Sequence, residues 1–281
     1  VSHGTIHNDV NRYNATTNAW TALAPIPGVP NAGEGPCAAL WNNKIYLAQG
    51  TTGPNLYIYD IATNTWTTGA PRPIANGYGC AAGALNGKVY VVGGFAAPTT
   101  TTVYDIATNT WTTGTAPPTG IFLSGNQTVG NYLYTVGGFT PVAGVNSTAT
   151  QRLNMVTGAW ESGPTFTPAR ADFGLANFGT KLYALGGDAN GGAFFDSTDL
   201  VDELDTATWP AGTWNASPPN LPTSVRQANQ AGFNSTGRVG GEIWSTGGVR
   251  GPFPLTFLTD HIYRAATSAR PPPTPPPLPP T

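Results

Sequence analysis

The sequence predicts an all-β protein built from repeated units of four strands, and three observations support this prediction. Residues 58–69 and 103–114 carry the same twelve-residue phrase with one substitution, IYDIATNTWTTG and VYDIATNTWTTG. A second phrase places an aromatic residue four positions before a glycine, and it recurs at Tyr46, Tyr90, Tyr134, Tyr183 and Trp244. No stretch repeats apolar residues at helical spacing over three turns. Internal repeats of this length are typical of repeat architectures.

The strands of one unit follow from these phrases in chain order. The phrase that ends in glycine marks the second strand, and a first strand precedes it across a short turn. A Tyr or Leu followed by a Trp marks the third and fourth strands, with copies at Tyr13/Trp20, Tyr59/Trp66, Tyr104/Trp111, Leu153/Trp160 and the longer Leu204/Trp214. In the turn between these two strands, we expect Asp60 and Asp105 to accept hydrogen bonds from backbone N–H groups.

The repeated unit resembles the kelch repeat, which has four strands, a glycine pair after the second strand and a Tyr…Trp pair in the third and fourth. The resemblance covers Val1 to about Arg264 and implies a β-propeller, in which antiparallel four-stranded blades surround a central channel. The copies imply six blades within residues 1–268, with five blades as the alternative. The second-strand aromatic and the fourth-strand Trp are then expected to fill the space between neighbouring sheets.

Both end blades are predicted to be incomplete in this sequence. The repeat spacing places Val1 inside a second strand, and Arg270 occupies the position at which the last Trp is due. One interpretation is that further residues of a longer protein supply the missing strands. The alternatives are five blades, with the Trp20 strand closing the last one, or open edges that pair with another subunit.

Composition limits the classes of function. Charged residues make up 9% of the 281 residues, where about 25% is typical, and the formal net charge is −2. Twelve scattered Lys and Arg residues do not form a stripe that follows phosphates, so nucleic acid is not an expected partner. No run of about eighteen apolar residues predicts a membrane span. A surface rich in Thr, Asn, Ser and Gly favours an extracellular or cell-surface protein.

The two cysteines each begin a Cys-Ala-Ala run upstream of a second-strand aromatic. Cys37 lies nine residues before Tyr46, and Cys80 lies ten residues before Tyr90. One extra residue in the second turn would put both cysteines at equivalent places on the first strands of neighbouring blades, next to the channel. Two interpretations remain open. One is a disulfide, which an extracellular location permits, and the other is a pair of small buried residues.

Candidate binding residues fall near the starts of first strands and in one long loop. Four charged residues are placed to line a channel mouth, although structural or solvent-facing charges are the alternative. They are Arg170, Asp172, Arg226 and Glu34. The longest unit contains an inserted loop with Phe194 and Phe195, which a glycan-binding propeller would use.

No catalytic residue, cofactor or metal site is predicted. Kelch-type copper oxidases, the galactose oxidase group, need a Tyr–Cys cofactor and histidine ligands, and the stretch His261-Ile262-Tyr263 does not supply that set. The other histidines, His3 and His7, have no cluster of Cys or carboxylate partners in the sequence.

Five Asn-X-Ser/Thr sequons are candidate glycosylation sites. They are Asn14, Asn126, Asn146, Asn215 and Asn234.

Residues 269–281 form a Pro-rich tail that ends in PPPTPPPLPPT, a composition that favours polyproline II. The tail is interpreted as a linker, a docking arm or a glycosylated stalk. The sequence as a whole predicts a non-enzymatic extracellular interaction or structural module, such as a subunit of a surface filament, with other protein subunits or further copies as partners. The alternatives are a lectin-like glycan binder and a carbohydrate-active or oxidase enzyme with a site at the channel mouth.

Overall fold

The protein is described from a computed structural model. For Tyr13 and for the strands between residues 234 and 266, only the backbone is described. The described residues are 8–14, 17, 19–27, 35–50, 53–75, 77–140, 143–189, 197–216, 219–222, 234–239, 242–247, 249–250, 257–258 and 262–266.

The strands of the described residues form six principal antiparallel sheets, which follow one another along the chain. The first sheet contains β1 (Val10–Asn14) and β2 (Ala19–Leu23). The second contains β3 (Cys37–Trp41), β4 (Lys44–Ala48), β5 (Leu56–Asp60) and β6 (Thr65–Gly69). The third contains β7 (Ala81–Leu85), β8 (Lys88–Val92), β9 (Thr101–Asp105) and β10 (Thr110–Thr113).

The fourth and fifth sheets have longer connections between their strands. The fourth begins with β11 (Gly125–Val129) and β12 (Tyr132–Val136), followed by a small hairpin of β13 (Phe139–Thr140) and β14 (Val145–Asn146). It ends with β15 (Thr150–Asn154) and β16 (Trp160–Ser162). The fifth contains β17 (Gly174–Phe178), β18 (Lys181–Leu185) and β19 (Val201–Asp205). A 3-10 turn (Thr206–Thr208) follows β19, and Asn215 forms an isolated bridge with Glu203 of β19.

The sixth sheet contains β20 (Asn234–Val239), β21 (Glu242–Gly247) and β24 (Ile262–Ala266). A small hairpin of β22 (Val249–Arg250) and β23 (Phe257–Leu258) lies between the last two of these strands. Six sheets are the number that the six-blade prediction requires. Within the described residues the first sheet has two strands and the last has three, so both end blades have fewer than four.

The sheets are arranged as blades of a propeller. We call the successive strands of a complete sheet a, b, c and d. The a strands of neighbouring sheets pack against one another in the order β3, β7, β11, β17 and β20, which makes them the innermost strands. Apolar side chains fill the spaces between neighbouring blades in three main clusters. The predicted all-β propeller is confirmed.

Alternating strand directions give the propeller two different faces. The b–c and d–a connections lie on one face, which we call the loop face, and the short a–b and c–d turns lie on the other. In the third and fourth blades the loop face includes residues 93–100, 114–124, 137–140, 143–149 and 163–173. The loop face carries the longer connections, where binding residues are commonest.

The c–d turns are held by the aspartates that the sequence singled out. Asp60 Oδ1 accepts hydrogen bonds from the amides of Ala62 (3.0 Å) and Thr63 (3.2 Å). Asp105 accepts the corresponding bonds from the second and third residues after it. The backbone bond from Thr108 is the largest effect lowering the Asp105 pKa, because it stabilises the ionised carboxylate. The predicted turn chemistry is confirmed.

The asparagine of the repeated phrase has a role that the sequence analysis missed. Asn109 has φ 54°, a conformation that asparagine tolerates better than most residues, and its Oδ1 accepts bonds from the Tyr104 hydroxyl (2.7 Å) and the Ala70 amide (2.7 Å). Trp111 Nε1 then donates to the Ala70 carbonyl at 2.8 Å. Asn64 and Trp66 make the same pair of bonds to Ala24. The phrase therefore ties each blade to the one before it.

The predicted packing of the repeat aromatics is confirmed for the strand b tyrosines Tyr46, Tyr90 and Tyr134, which are buried. The strand d residues Trp66 and Trp111 are half-buried. The prediction is wrong for Trp20, which is 57% exposed. Trp20 therefore does not fill a space between two sheets as the half-buried strand d residues of the second and third blades do.

Candidate binding face

An aromatic cluster lies on the loop face, where the third and fourth blades meet. The Tyr78 and Phe95 rings are stacked, with centroids 5.4 Å apart and planes 11° apart. Phe122 meets both of these rings edge to face, and Phe139 packs on Phe122 at 6.3 Å. We call these four residues the aromatic cluster. Phe122 is buried and Tyr78 and Phe139 are half-buried, whereas Phe95 is 50% exposed.

Backbone hydrogen bonds fix the cluster between the b–c and d–a connections. The Phe95 amide donates to the Tyr78 carbonyl at 2.9 Å, and the Phe139 amide donates to the Phe122 carbonyl at 2.8 Å. The glycines before each phenylalanine have positive φ, and a Cβ on Gly93 would collide with the Ile121 carbonyl. The conformation of the glycine pair therefore sets the position of the phenylalanine that follows it.

The sequence contains a signal for this cluster that the sequence analysis overlooked. The phrase Gly-Gly-Phe occurs at residues 93–95 and 137–139, and in each case an aromatic residue stands seventeen positions earlier. In the next repeat the corresponding pair is Ala171 and Asp188, which bond to each other through backbone groups. Two successive blades thus present aromatic rings at a position that the next blade fills with small and acidic residues.

A central cavity of about 350 Å³ is lined by the a strands of four successive blades. Its wall consists mainly of small residues, together with the polar residues Asn126, Gln127 and Thr128 of β11. Gln127 Nε2 donates to Asn177 Oδ1 at 2.8 Å and thereby joins the a strands of the fourth and fifth blades. The cavity offers neutral amide and hydroxyl groups, and none of the described residues that line it is charged.

Arg170 does not line the channel mouth, so that part of the prediction is wrong. Its side chain is fully buried, and Nη1 lies 2.6 Å from Asp202 Oδ2. The guanidinium also lies over Phe166 (4.9 Å) and near Phe173 (5.9 Å). Burial lowers the Arg170 pKa, and Asp202 partly opposes that effect. Arg170 acts as a structural residue between the fourth and fifth blades, since its guanidinium is fully buried and paired with Asp202.

Asp172 is also closed off from solvent. Its backbone is at the mouth of the channel, where its amide donates to the Leu123 carbonyl at 2.8 Å. Its side chain is 1% exposed, and its φ is 57°. The carboxylate of Asp172 is therefore not presented to a ligand, which counts against the predicted binding role at the channel mouth.

Arg72 is a second buried cation on the loop face. Its amide donates to the Pro54 carbonyl, and the residues that make the same bond in other blades are apolar, namely Ile121, Phe166 and Leu221. Arg72 is 4% exposed, and its Nε donates to the Ile74 carbonyl at 2.8 Å. Nη1 and Nη2 have no hydrogen-bond partner among the described residues. Burial lowers the Arg72 pKa to about 10.

Cys37 and Cys80 are bonded to each other in the structure, with Cα atoms 5.8 Å apart. This separation lies within the usual range for a disulfide. Their places are adjacent rather than equivalent, because Cys37 pairs with Ala48 whereas Ala81, not Cys80, makes the corresponding pair with Val92. Both a–b turns have two residues, so the extra turn residue expected from the sequence does not exist. The bond links the second and third blades beside the channel.

The sequons have different environments. Asn14 and Asn215 are exposed, whereas Asn126 lies in the wall of the central cavity. Asn146 Nδ2, the atom that would carry a sugar, donates to the Asp188 carbonyl at 2.8 Å. Nδ2 also donates to the Ala169 carbonyl at 3.5 Å, and a glycan would replace one of these two N–H donors, so the structure argues against modification there. For Asn234 only the backbone, at the start of β20, is described.

Several predicted residues lie outside the described residues. They are Glu34, Phe194, Phe195, Arg226, His3, His7, His261 and the whole tail 269–281. Among the residues that the structure does describe, no three His, Cys, Asp or Glu side chains come together as a metal site. The described segments also include no helix long and apolar enough to cross a membrane.

Comparisons with known proteins agree with this architecture. Residues 78–118, which run from the aromatic cluster through the third blade, match the family model described as Kelch motif. A solved structure described as "Structure of YjhT" has a similar fold, with a TM-score of 0.66, 20% sequence identity, and coverage of 80% of this chain and 74% of that one. No curated protein matches the chain. The motif and the likeness in fold together support a kelch-repeat β-propeller.

Proposed function

We propose that the protein is a non-enzymatic extracellular interaction module that assembles with further copies of itself through its loop face. The observation that carries the proposal is the aromatic cluster. Phe95 exposes half of its surface while stacked on Tyr78 at a blade junction. Aromatic residues held rigidly at a surface are typical anchors of protein interfaces. Kelch-type propellers commonly mediate protein interactions, which supports this use of the fold.

The charged residues support a binding role over a catalytic one. Arg170 and Asp202 neutralise each other in a buried ion pair, with exposed side-chain fractions of 0% and 4%. General acid–base catalysis needs titratable groups within hydrogen-bond reach of a bound substrate, and these two groups are closed off from one. The disulfide between Cys37 and Cys80 supports an extracellular location, since disulfides persist in oxidising compartments.

Sedimentation velocity of the full chain over a wide concentration range tests this proposal. We expect reversible, concentration-dependent association, which Phe95→Ser weakens. The matched control is Val156→Ser, because Val156 is 59% exposed in a c–d turn on the opposite face. Association should change little with salt, since no charged residue belongs to the cluster. A chain that remains monomeric at every concentration would refute self-assembly.

Glycan binding is a second candidate, and one observation favours it. The aromatic cluster lies on the loop face of a propeller whose central cavity presents the amide groups of Asn126 and Gln127. An exposed aromatic ring and neutral hydrogen-bonding groups are the kinds of group that contact sugars. A glycan array probed with the wild-type chain and with Phe95→Ser tests this candidate, and the absence of any Phe95-dependent signal would remove it.

A further inference from the structure

We infer that the aromatic cluster binds the proline-rich segment 271–281 of a second copy of this chain. The inference rests on the proposed function, because it names the segment that the loop face recognises. Phe95 and Tyr78 present two nearly parallel rings, and Phe122 closes one side of the pair. Polyproline II segments dock on surfaces lined by such aromatic rings.

The chain carries a segment of matching chemistry. Residues 271–281, PPPTPPPLPPT, contain eight prolines and no charged residue. A polyproline II helix of this length extends about 34 Å, and little conformational entropy remains to be lost on binding. The ring surface is likewise uncharged, so neither partner has to give up the hydration of an ion. The two partners are therefore matched in polarity.

Strand directions favour binding between copies over binding within one copy. Glu242 begins β21 directly after the a–b turn, and Ala266 at the end of β24 pairs with it. The chain therefore leaves Ala266 on the face opposite the loop face. The aromatic cluster lies on the loop face between the third and fourth blades, whereas β24 belongs to the sixth. A segment that leaves one face and binds the other face of the next copy produces a head-to-tail assembly, which grows into a filament when it does not close.

The test measures binding of a fluorescent peptide with the sequence of residues 271–281 to the full chain by anisotropy. The control peptide replaces every proline with serine. We expect saturable binding of the proline peptide to the wild-type chain and to Val156→Ser, and roughly tenfold weaker binding to Phe95→Ser, as for other aromatic anchors. In sedimentation, excess free peptide should dissociate the assembled chain.

The outcomes separate this inference from the proposed function. If Phe95→Ser weakens self-association but the peptide does not bind, the loop face is an interaction surface and the tail is not its ligand. Equal peptide affinity for wild type and Phe95→Ser, or equal binding of the serine peptide, overturns the inference. A chain that stays monomeric and binds the added peptide only after its own tail prolines are replaced would show that the tail binds within its own copy, which also overturns the inference. Competition by a glycan but not by the peptide would assign the cluster to sugars.

Discussion

The disulfide between Cys37 and Cys80 gives a quantitative prediction about stability. The bond joins the first residue of β3 to the residue before β7 in the neighbouring blade, and it closes a loop with a sequence separation of 43 residues. Restricting a loop of this size in the unfolded chain contributes about 4 kcal/mol in the chain-entropy model, and removing a native disulfide commonly costs about 2–5 kcal/mol. For a domain of this size, such a loss lowers the melting temperature by roughly 10 °C.

Calorimetry on three samples would measure this effect. They are the oxidised wild-type chain, the wild-type chain reduced under denaturing conditions and refolded with reductant, and the Cys37→Ala/Cys80→Ala variant. We expect the last two to melt at similar temperatures, both well below the first. Free-thiol titration of the oxidised chain should detect no thiol. Equal melting temperatures for all three samples, or two free thiols in the native chain, would refute the reasoning.

Three further predictions concern charged residues. Asp202→Ala should lower the free energy of unfolding by about 3–5 kcal/mol in urea titrations, because it leaves the buried Arg170 without its counter-ion. Arg72→Leu should raise the free energy of unfolding by roughly 1–3 kcal/mol, because it removes two buried NH2 groups that have no partner among the described residues and restores the apolar residue of the other blades. A loss of stability would show that the guanidinium has a partner. The pKa of Asp105 is lower in the folded chain than in the unfolded chain. Its contribution to the free energy of unfolding is therefore fully present above the unfolded pKa of about 4 and is lost as the pH falls through the folded pKa. The melting temperature of Asp105→Asn should therefore fall less than that of the wild type when the pH is lowered from 5 to 2.

The repeat architecture was predictable because its signals are local. A glycine pair at the end of strand b and an aspartate in the c–d turn each act within a few residues of their own position. Their meaning therefore does not depend on the rest of the chain. The repetition of these signals then gave the number of sheets, including the short first and last ones.

The contacts between blades were not predictable in the same way. Asn109 reads as a turn residue in the sequence, yet it accepts a bond from Ala70, which lies in the connection from the preceding blade. Arg170 reads as a channel residue until the register of β19 places Asp202 beside it. Each case depends on which side chains neighbouring sheets bring together, and sequence spacing alone does not determine that.

The aromatic cluster was predictable in its spacing but not in its exposure. The seventeen-residue spacing of Tyr78 and Phe95, repeated by Phe122 and Phe139, is present in the sequence. The spacing cannot tell a ring buried between blades from one exposed on a face, because both belong to the same repeat positions. Only the packing distinguishes the buried Phe122 from the half-exposed Phe95.

The most direct test of the central claim is hydrogen–deuterium exchange of the full chain at low and high concentration. The claim is that the loop face around Phe95 is the surface through which copies associate. We predict that the amides of segments 77–79 and 94–97 become slower to exchange at high concentration, while the c–d turn around Val156 is unchanged. Protection confined to the opposite face, or equal exchange at both concentrations, would contradict it.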